Sequence, residues 1–233
     1  MKITFISDTH TKHNQVNYLL SGGDLLVHAG DMSSMGYQEE ITDFLKWFDG
    51  LDNYTHKIFI AGNHDWGFQE SPDMCRELLK MYPNVTYLQD NSKVIGEDNG
   101  TSVNVYGSPW QPEFYNWAFN LPRMGWELEL KWNDIPMDTD ILITHGPAWG
   151  HLDTIKGHSV PLGCELLAER IKTVKPKIHV FGHIHTGYGY KFDGDTHFFN
   201  AAVLDERYHF TQNPFTVEWN KETNEITFLD EME

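Results

Sequence analysis

The chain has 233 residues, with 34 acidic side chains against 17 lysines and arginines, for a net charge of -17. That balance argues against long nucleic acids and anionic membrane surfaces as partners, because both need a basic face. Hydrophobic residues at 40% give enough material for a core, and two cysteines, Cys75 and Cys164, exclude a disulfide scaffold or a cysteine-rich zinc or iron–sulfur site.

No apolar run approaches the ~18 residues of a membrane span. The first one, residues 3–6, is too short for a signal-peptide core and is followed at once by Asp8 and His10. A cytoplasmic, reducing location is therefore expected, with both thiols as inert packing groups. In chain order the apolar runs are residues 3–6, 25–29, 58–61, 103–106, 141–143, 178–181, 198–202, 215–219 and 226–229. They are continuous rather than alternating, as strands buried on both faces are. Helical spacing appears between them. Ile41, Phe44, Leu45 and Phe48 fall at i, i+3, i+4 and i+7; Leu78, Leu79 and Tyr82 form a shorter stripe; Leu166, Leu167, Ile171 and Val174 form a third. Strand and helix alternate over the first two-thirds, and the C-terminal part reads as strands alone. The pattern predicts one α/β domain over 1–233 with a mixed sheet, and it is compatible with a second sheet. Two stretches, 107–121 and 146–163, read as long loops, which often carry function. His151 and His158 lie in the second; a position over a site and an ordinary surface loop are both open for them.

Polar clusters follow five of the apolar runs directly. They are Ser7-Asp8-Thr9-His10, Gly30-Asp31, Gly62-Asn63-His64-Asp65, Thr144-His145-Gly146-Pro147 and Gly182-His183-Ile184-His185. Taken singly, Asp8 is a possible helix cap and Gly30-Asp31 an ordinary turn. Together they place ligand-type residues at one class of position, the carboxyl ends of strands, where α/β sheets bind ligands. Asp8 and His10 are two apart, so in extended chain they face the same side, and His183 and His185 repeat that relation. Asp, His, Asp, Asn, His, His and His make an oxygen–nitrogen set too large for one ion. It suits two divalent ions, chiefly manganese, iron or zinc, with a carboxylate such as Asp31 bridging ions ~3.5–4 Å apart.

The pattern D-x-H, G-D, G-N-H-[DE], H, G-H-x-H resembles that of the calcineurin-like metallophosphoesterase superfamily. The resemblance implies a four-layer α/β/β/α sandwich with two mixed sheets and a dinuclear centre at the strand ends. It assigns one ion to Asp8, His10, Asp31 and His185, and the other to Asp31, Asn63, His145 and His183. It makes His64 the catalytic histidine outside the ligand set, with Asp65 orienting it. Gly107-Ser108-Pro109-Trp110-Gln111-Pro112, the aromatic residues that follow, and the segment 178–189 are similar to a subgroup, the metallophosphoesterase-domain-containing proteins of vertebrate brain and their bacterial relatives. Vertebrate members of that subgroup carry glycine where His183 stands, so this chain should bind both ions and turn over well.

The expected chemistry is hydrolysis of a small phosphodiester, with a cyclic nucleotide as one candidate, by in-line attack of hydroxide generated between two divalent ions. His64 would serve the leaving side. Trp110, Phe114 and Trp117 are candidates to stack against a base or aryl group, although aromatic residues in a long loop also serve to pack it down. Met32-Ser33-Ser34-Met35-Gly36 follows Asp31 where protein serine/threonine phosphatases carry x-x-D-R-G, which argues against that branch. A phosphomonoesterase of the same superfamily and a nucleotide-binding protein with a non-hydrolytic metal centre are the alternatives. Small phosphate esters or nucleotides are the expected partners.

Overall fold

In the computed structural model of the chain, which describes residues 1–96, 102–157 and 159–229, alternate residues of the apolar runs feed different cores. Ile3, Phe5, Leu25, Val27 and Ile58 of one sheet meet Ile141, Ile143, Ile178 and Val180 of another in a central core. Leu26, Phe59 and Ala61 face the opposite way and pack with Phe44, Leu45 and Phe48. Leu142 and Phe181 turn outward in the second sheet and meet Leu167 and Ile171. The runs are unbroken because both faces of these strands are buried, each such side chain contributing about 1.5–3 kcal/mol of burial.

The elements, in chain order, are β1 (Lys2–Ile6), β2 (Gly23–His28), α1 (Gln38–Asp49), β3 (Tyr54–Phe59), α2 (Trp66–Glu70), α3 (Pro72–Lys80), β4 (Val85–Tyr87), β5 (Asn91–Gly96), β6 (Ser102–Ser108), β7 (Gln111–Pro112), β8 (Asn120–Leu121), α4 (Trp126–Asn133), β9 (Ile141–Thr144), α5 (Glu165–Val174), β10 (Ile178–Phe181), β11 (Gly189–Phe192), β12 (His197–Asn200), β13 (Phe215–Asn220) and β14 (Glu225–Phe228). One sheet runs β14-β13-β1-β2-β3-β4 and the other β11-β12-β10-β9-β6-β5. Each is parallel at its centre and antiparallel toward an edge, hence mixed. Helices α1 and α3 cover the first sheet, and α4 and α5 the second, so the layers read α/β/β/α.

Several expectations change in detail. The stripe at 78–82 belongs to α3, which stops at Lys80 and leaves Tyr82 beyond its end. The stretch 107–121 is not structureless: β7 and β8 pair within it as a small parallel clip. Strands β2 and β3 end at His28 and Phe59, so Ala29 and Ala61 already belong to turns that lead into polar clusters. Those turns bring the ends of the two sheets together. Ser7, just past β1, bridges to Ala202, just past β12, and His145 Nδ1, just past β9, lies 2.9 Å from the carbonyl of Ala29, just past β2. Among the described residues no helix is long and apolar enough to cross a membrane.

Candidate active site

All five polar clusters converge beyond the carboxyl ends of β1, β2, β3, β9 and β10. The chain bends sharply to put them there. Asp8, His10, Asp31 and His183 hold φ values of 55°, 39°, 55° and 66°, in the left-handed region that costs non-glycine residues on the order of 1–3 kcal/mol each. Tight packing holds the bends in place. The Asp8 and His10 amides donate to Gly30 and Asp31 carbonyls at 2.9 and 3.0 Å. His183 N–H points at both oxygens of Asp8, at 3.1 Å each, and His64 N–H donates to Asp31 Oδ1 at 2.8 Å. Gly182 is required by close approach, since a Cβ there would collide with Asp8 Oδ2.

The histidines are oriented by the backbone. Nδ1 of His10 lies 3.2 Å from the Ser33 carbonyl, that of His64 2.8 Å from Ser34, that of His145 2.9 Å from Ala29, and that of His185 2.9 Å from Asp205. A carbonyl oxygen only accepts, so each Nδ1 carries the proton and each Nε2 is left for the site. His145 Nε2 lies 3.3 Å from Asp31 Oδ2 and 3.0 Å from Asn63 Oδ1. His185 Nε2 lies 3.3 Å from Asp8 Oδ1. His10 Nε2, 3.7 Å from Asp31 Oδ2, is buried with no hydrogen-bond partner.

The electrostatics follow from this placement. Burial opposes ionisation of Asp8, yet the hydrogen bond and charge of His185 carry its carboxyl far below the usual range. Burial likewise opposes Asp31, and His145 holds it well below the ordinary value. Burial also works against the imidazolium forms of His145 and His185, but the carboxylates win and raise both to about 9. Desolvation pushes His10 down to about 4 and His183 to about 3. Without a metal ion, protons on two Nε2 atoms balance two buried carboxylates.

These groups fit a metal centre. Ligand atoms of Asp8, His10 and His185 lie within 4.8 Å of one another, as do those of Asp8, Asp31 and His145, and those of His10, Asp31 and His64. The orphaned His10 Nε2 and the proton-bridged His145 and His185 are the positions a cation would satisfy. His183 joins through its ring, 5.1 Å from that of His145.

Other expected residues sit differently. Asp65 does not hold His64. Its carboxylate accepts from Ser33 Oγ at 2.5 Å, Gly62 N at 2.7 Å and Ser33 N at 3.0 Å, so it fastens the Gly62 and Ser33 turns together; burial, aided by Asp31, raises its pKa to about 6. The Ser34 carbonyl takes the orienting role. Trp110 is outside the site: its indole N–H donates to Asp90 at 2.9 Å, Lys131 lies over its ring, and the side chain packs against both helix-side cores. Phe114 lines the cleft, with its ring perpendicular to that of His183 at 5.2 Å. Trp117 stacks on His64, centroids 4.0 Å apart and planes 30° from parallel. His151 stacks on Phe198 at 3.8 Å, toward the outer core rather than over the site, and His158 lies outside the described residues. Cys75 and Cys164 are buried, with burial raising both thiols, Cys75 to about 12.

The cleft has a volume of about 460 Å³. The loop after β9 does border it, through Pro147, Ile155 and Leu162. Three lining residues had no signature in the sequence: Arg123, Glu206 and Tyr208. Tyr208 sets its ring edge-to-face with His10 at 4.8 Å and His185 at 5.6 Å.

Residues 1–187 match the model of the calcineurin-like phosphoesterase family, and the chain belongs to that family. It is 38% identical over 234 residues to metallophosphoesterase domain-containing protein 1 of Homo sapiens, covering 91% of this chain and 69% of the relative. A UPF0046 protein of Caenorhabditis elegans is 36% identical over 242 residues, covering 92% of this chain and 59% of its own length. Among solved structures, TT1561 of Thermus thermophilus superposes with a TM-score of 0.67 at 14% identity over 97% of both chains, a likeness of fold. Family membership and the clustered ligands make this a metal-dependent hydrolase of phosphoric esters.

Proposed function

We propose that the chain is a dinuclear-metal phosphodiesterase for small esters, with cyclic nucleotides the first class to test. One observation carries the reading: His10, His145 and His185 spend Nδ1 on backbone carbonyls and present Nε2 to Asp8 and Asp31, beside a cleft that His10, Asp31 and His185 line. Asp8, His10, Asp31 and His185 would hold one ion; Asp31, Asn63, His145 and His183 would hold the other. Asp31 suits the shared position because its Oδ2 faces both His10 and His145. Manganese or iron suits this donor set, and zinc is compatible with it. The ions, when bound, supply Lewis acidity and a reactive water at neutral pH.

The chain's own groups supply the rest. With Nδ1–H of His64 engaged by the Ser34 carbonyl, a proton passed to the leaving oxygen comes from Nε2 of the doubly protonated imidazolium, which returns to the neutral Nδ1–H form. A diester is favoured by the charge of the walls. Arg123 is the one lysine or arginine among the described lining residues, and it is already engaged by Glu165 at 2.8 Å and by the Gly163 and Leu162 carbonyls. Glu113 and Glu206 add negative charge at the rim. Beyond the ions themselves, no uncommitted lysine or arginine among the described lining residues meets the second charge of a monoester. Phe114 supports an aromatic or nucleobase group on the substrate. The two free, buried cysteines support a reducing, cytoplasmic setting, and we read residues 1–233 as one domain.

The test is turnover of bis(4-nitrophenyl) phosphate beside 4-nitrophenyl phosphate with manganese. Faster diester hydrolysis is expected. Faster monoester hydrolysis would overturn the diester preference, and turnover of neither would favour a binding protein. A panel of 2′,3′- and 3′,5′-cyclic nucleotides then narrows the substrate.

A further inference from the structure

The His64 ring is held from several directions at once. Nδ1–H reaches the Ser34 carbonyl at 2.8 Å, the ring packs perpendicular to His10 at 4.6 Å, and one face is covered by the stacked indole of Trp117 at 4.0 Å. Two of these contacts belong to the metal-site framework. The third comes from the clip between β7 and β8, a separate piece of chain. That piece is tied directly to the His64 turn: Ala118 N–H donates to the Asn63 carbonyl at 3.0 Å, and Phe119 N–H donates to Gln69 on α2. Trp117 does not line the cleft, whereas Phe114 of the same segment does. A tryptophan recruited to stack on a substrate base would face the cleft. This one faces a histidine.

We propose that Trp117 is a positioning residue: its indole fixes the plane of the His64 imidazole so that Nε2 is aimed into the cleft. This rests on the reading of His64 as proton donor to the leaving oxygen. A hydrogen bond at Nδ1 leaves the ring free to swing about the N–H···O direction, and a flat surface against one face removes that freedom. Such a residue acts on the step that needs the proton and leaves substrate affinity alone.

The experiment compares 4-nitrophenyl and unsubstituted phenyl phosphodiesters, whose leaving groups differ in basicity and hence in need of a proton. In Trp117→Ala, kcat for the phenyl ester is expected to fall about tenfold, with kcat for the nitrophenyl ester changed by less than about twofold and KM unchanged for both. Trp117→Phe, which keeps a flat ring, should recover most of the loss. In a His64→Ala background the Trp117→Ala change should have no further effect on kcat. Metal content by elemental analysis and thermal melting identify a variant that has lost its fold, in which case Trp117→Leu, with apolar bulk but no ring, takes its place. A rise in KM alone would make Trp117 a substrate platform and overturn the proposal, as would equal losses on both esters or a loss that persists without His64. His64→Ala with full activity on the phenyl ester would sink the reading of His64 itself, whatever Trp117 does.

Discussion

Asp31 is where the two ligand sets meet, and its surroundings decide what its loss does. Its Oδ1 accepts the His64 amide, and its Oδ2 faces His10 on one side and His145 on the other. Asp31→Ala should leave the purified protein without bound manganese by elemental analysis. His64→Ala should keep the ions and lower kcat for the phenyl diester, whose leaving group needs the proton, by about 10²–10⁴-fold. A full metal complement in Asp31→Ala would remove Asp31 from the shared position. Gly182 is the stricter test of geometry. A Cβ there displaces the Asp8 carboxylate, so Gly182→Ala should weaken manganese binding on the order of 10–100-fold by titration calorimetry. Unchanged affinity would show that the Asp8 turn relaxes easily. Both motifs were legible because the chemistry demands those residue types. The carbonyls of Ser34 and Asp205 that aim His64 and His185 were not, since every residue has a carbonyl.

At the scale of elements, the sites of hidden structure share physical causes. Of the strands that left no clear apolar run, β4, β5 and β11 lie at the edges of the two large sheets, where only one strand neighbour is needed and their side chains are mostly exposed or half-buried. Helix α4 was masked by its own sequence, Trp126-Glu127-Leu128-Glu129-Leu130-Lys131-Trp132. Its apolar residues alternate as in a strand, yet only Leu128 and Trp132, one helical turn apart, are buried. The aromatic loop is held to α4 through Asp90, which accepts from Ser108 Oγ at 2.8 Å, Trp110 Nε1 at 2.9 Å and Lys131 Nζ at 2.6 Å. Asp90→Ala strands the Trp110 indole N–H and should cost about 1–3 kcal/mol by urea denaturation. A loss near zero would show that the loop is anchored by its apolar contacts alone.

For the whole molecule, the buried charges link metal, pH and stability. In the metal-free protein His145 and His185 are raised to about 9 from an ordinary 6.5. A group raised in the folded state stabilises fully below its unfolded pKa, and that contribution disappears as pH climbs through the folded value. The metal-free fold should therefore lose stability between pH 6.5 and 9, as the protons that balance Asp8 and Asp31 leave. Bound ions supply that balance without protons, and their affinity rises over the same range. The gap in melting temperature with and without manganese should widen from pH 6.5 to pH 9 by scanning fluorimetry; a constant or shrinking gap would contradict the linkage. The sequence by itself determined the doubly buried strands and the ligand-type residues at their ends, because burial on two faces and metal chemistry both constrain residue type position by position. The tertiary structure alone decided which sheet each strand joined, that Asp65 ties two turns instead of holding His64, and that Trp110 packs inward while Trp117 lies on His64. Those outcomes depend on which surfaces meet when the two sheets close, and no local spacing carries that information.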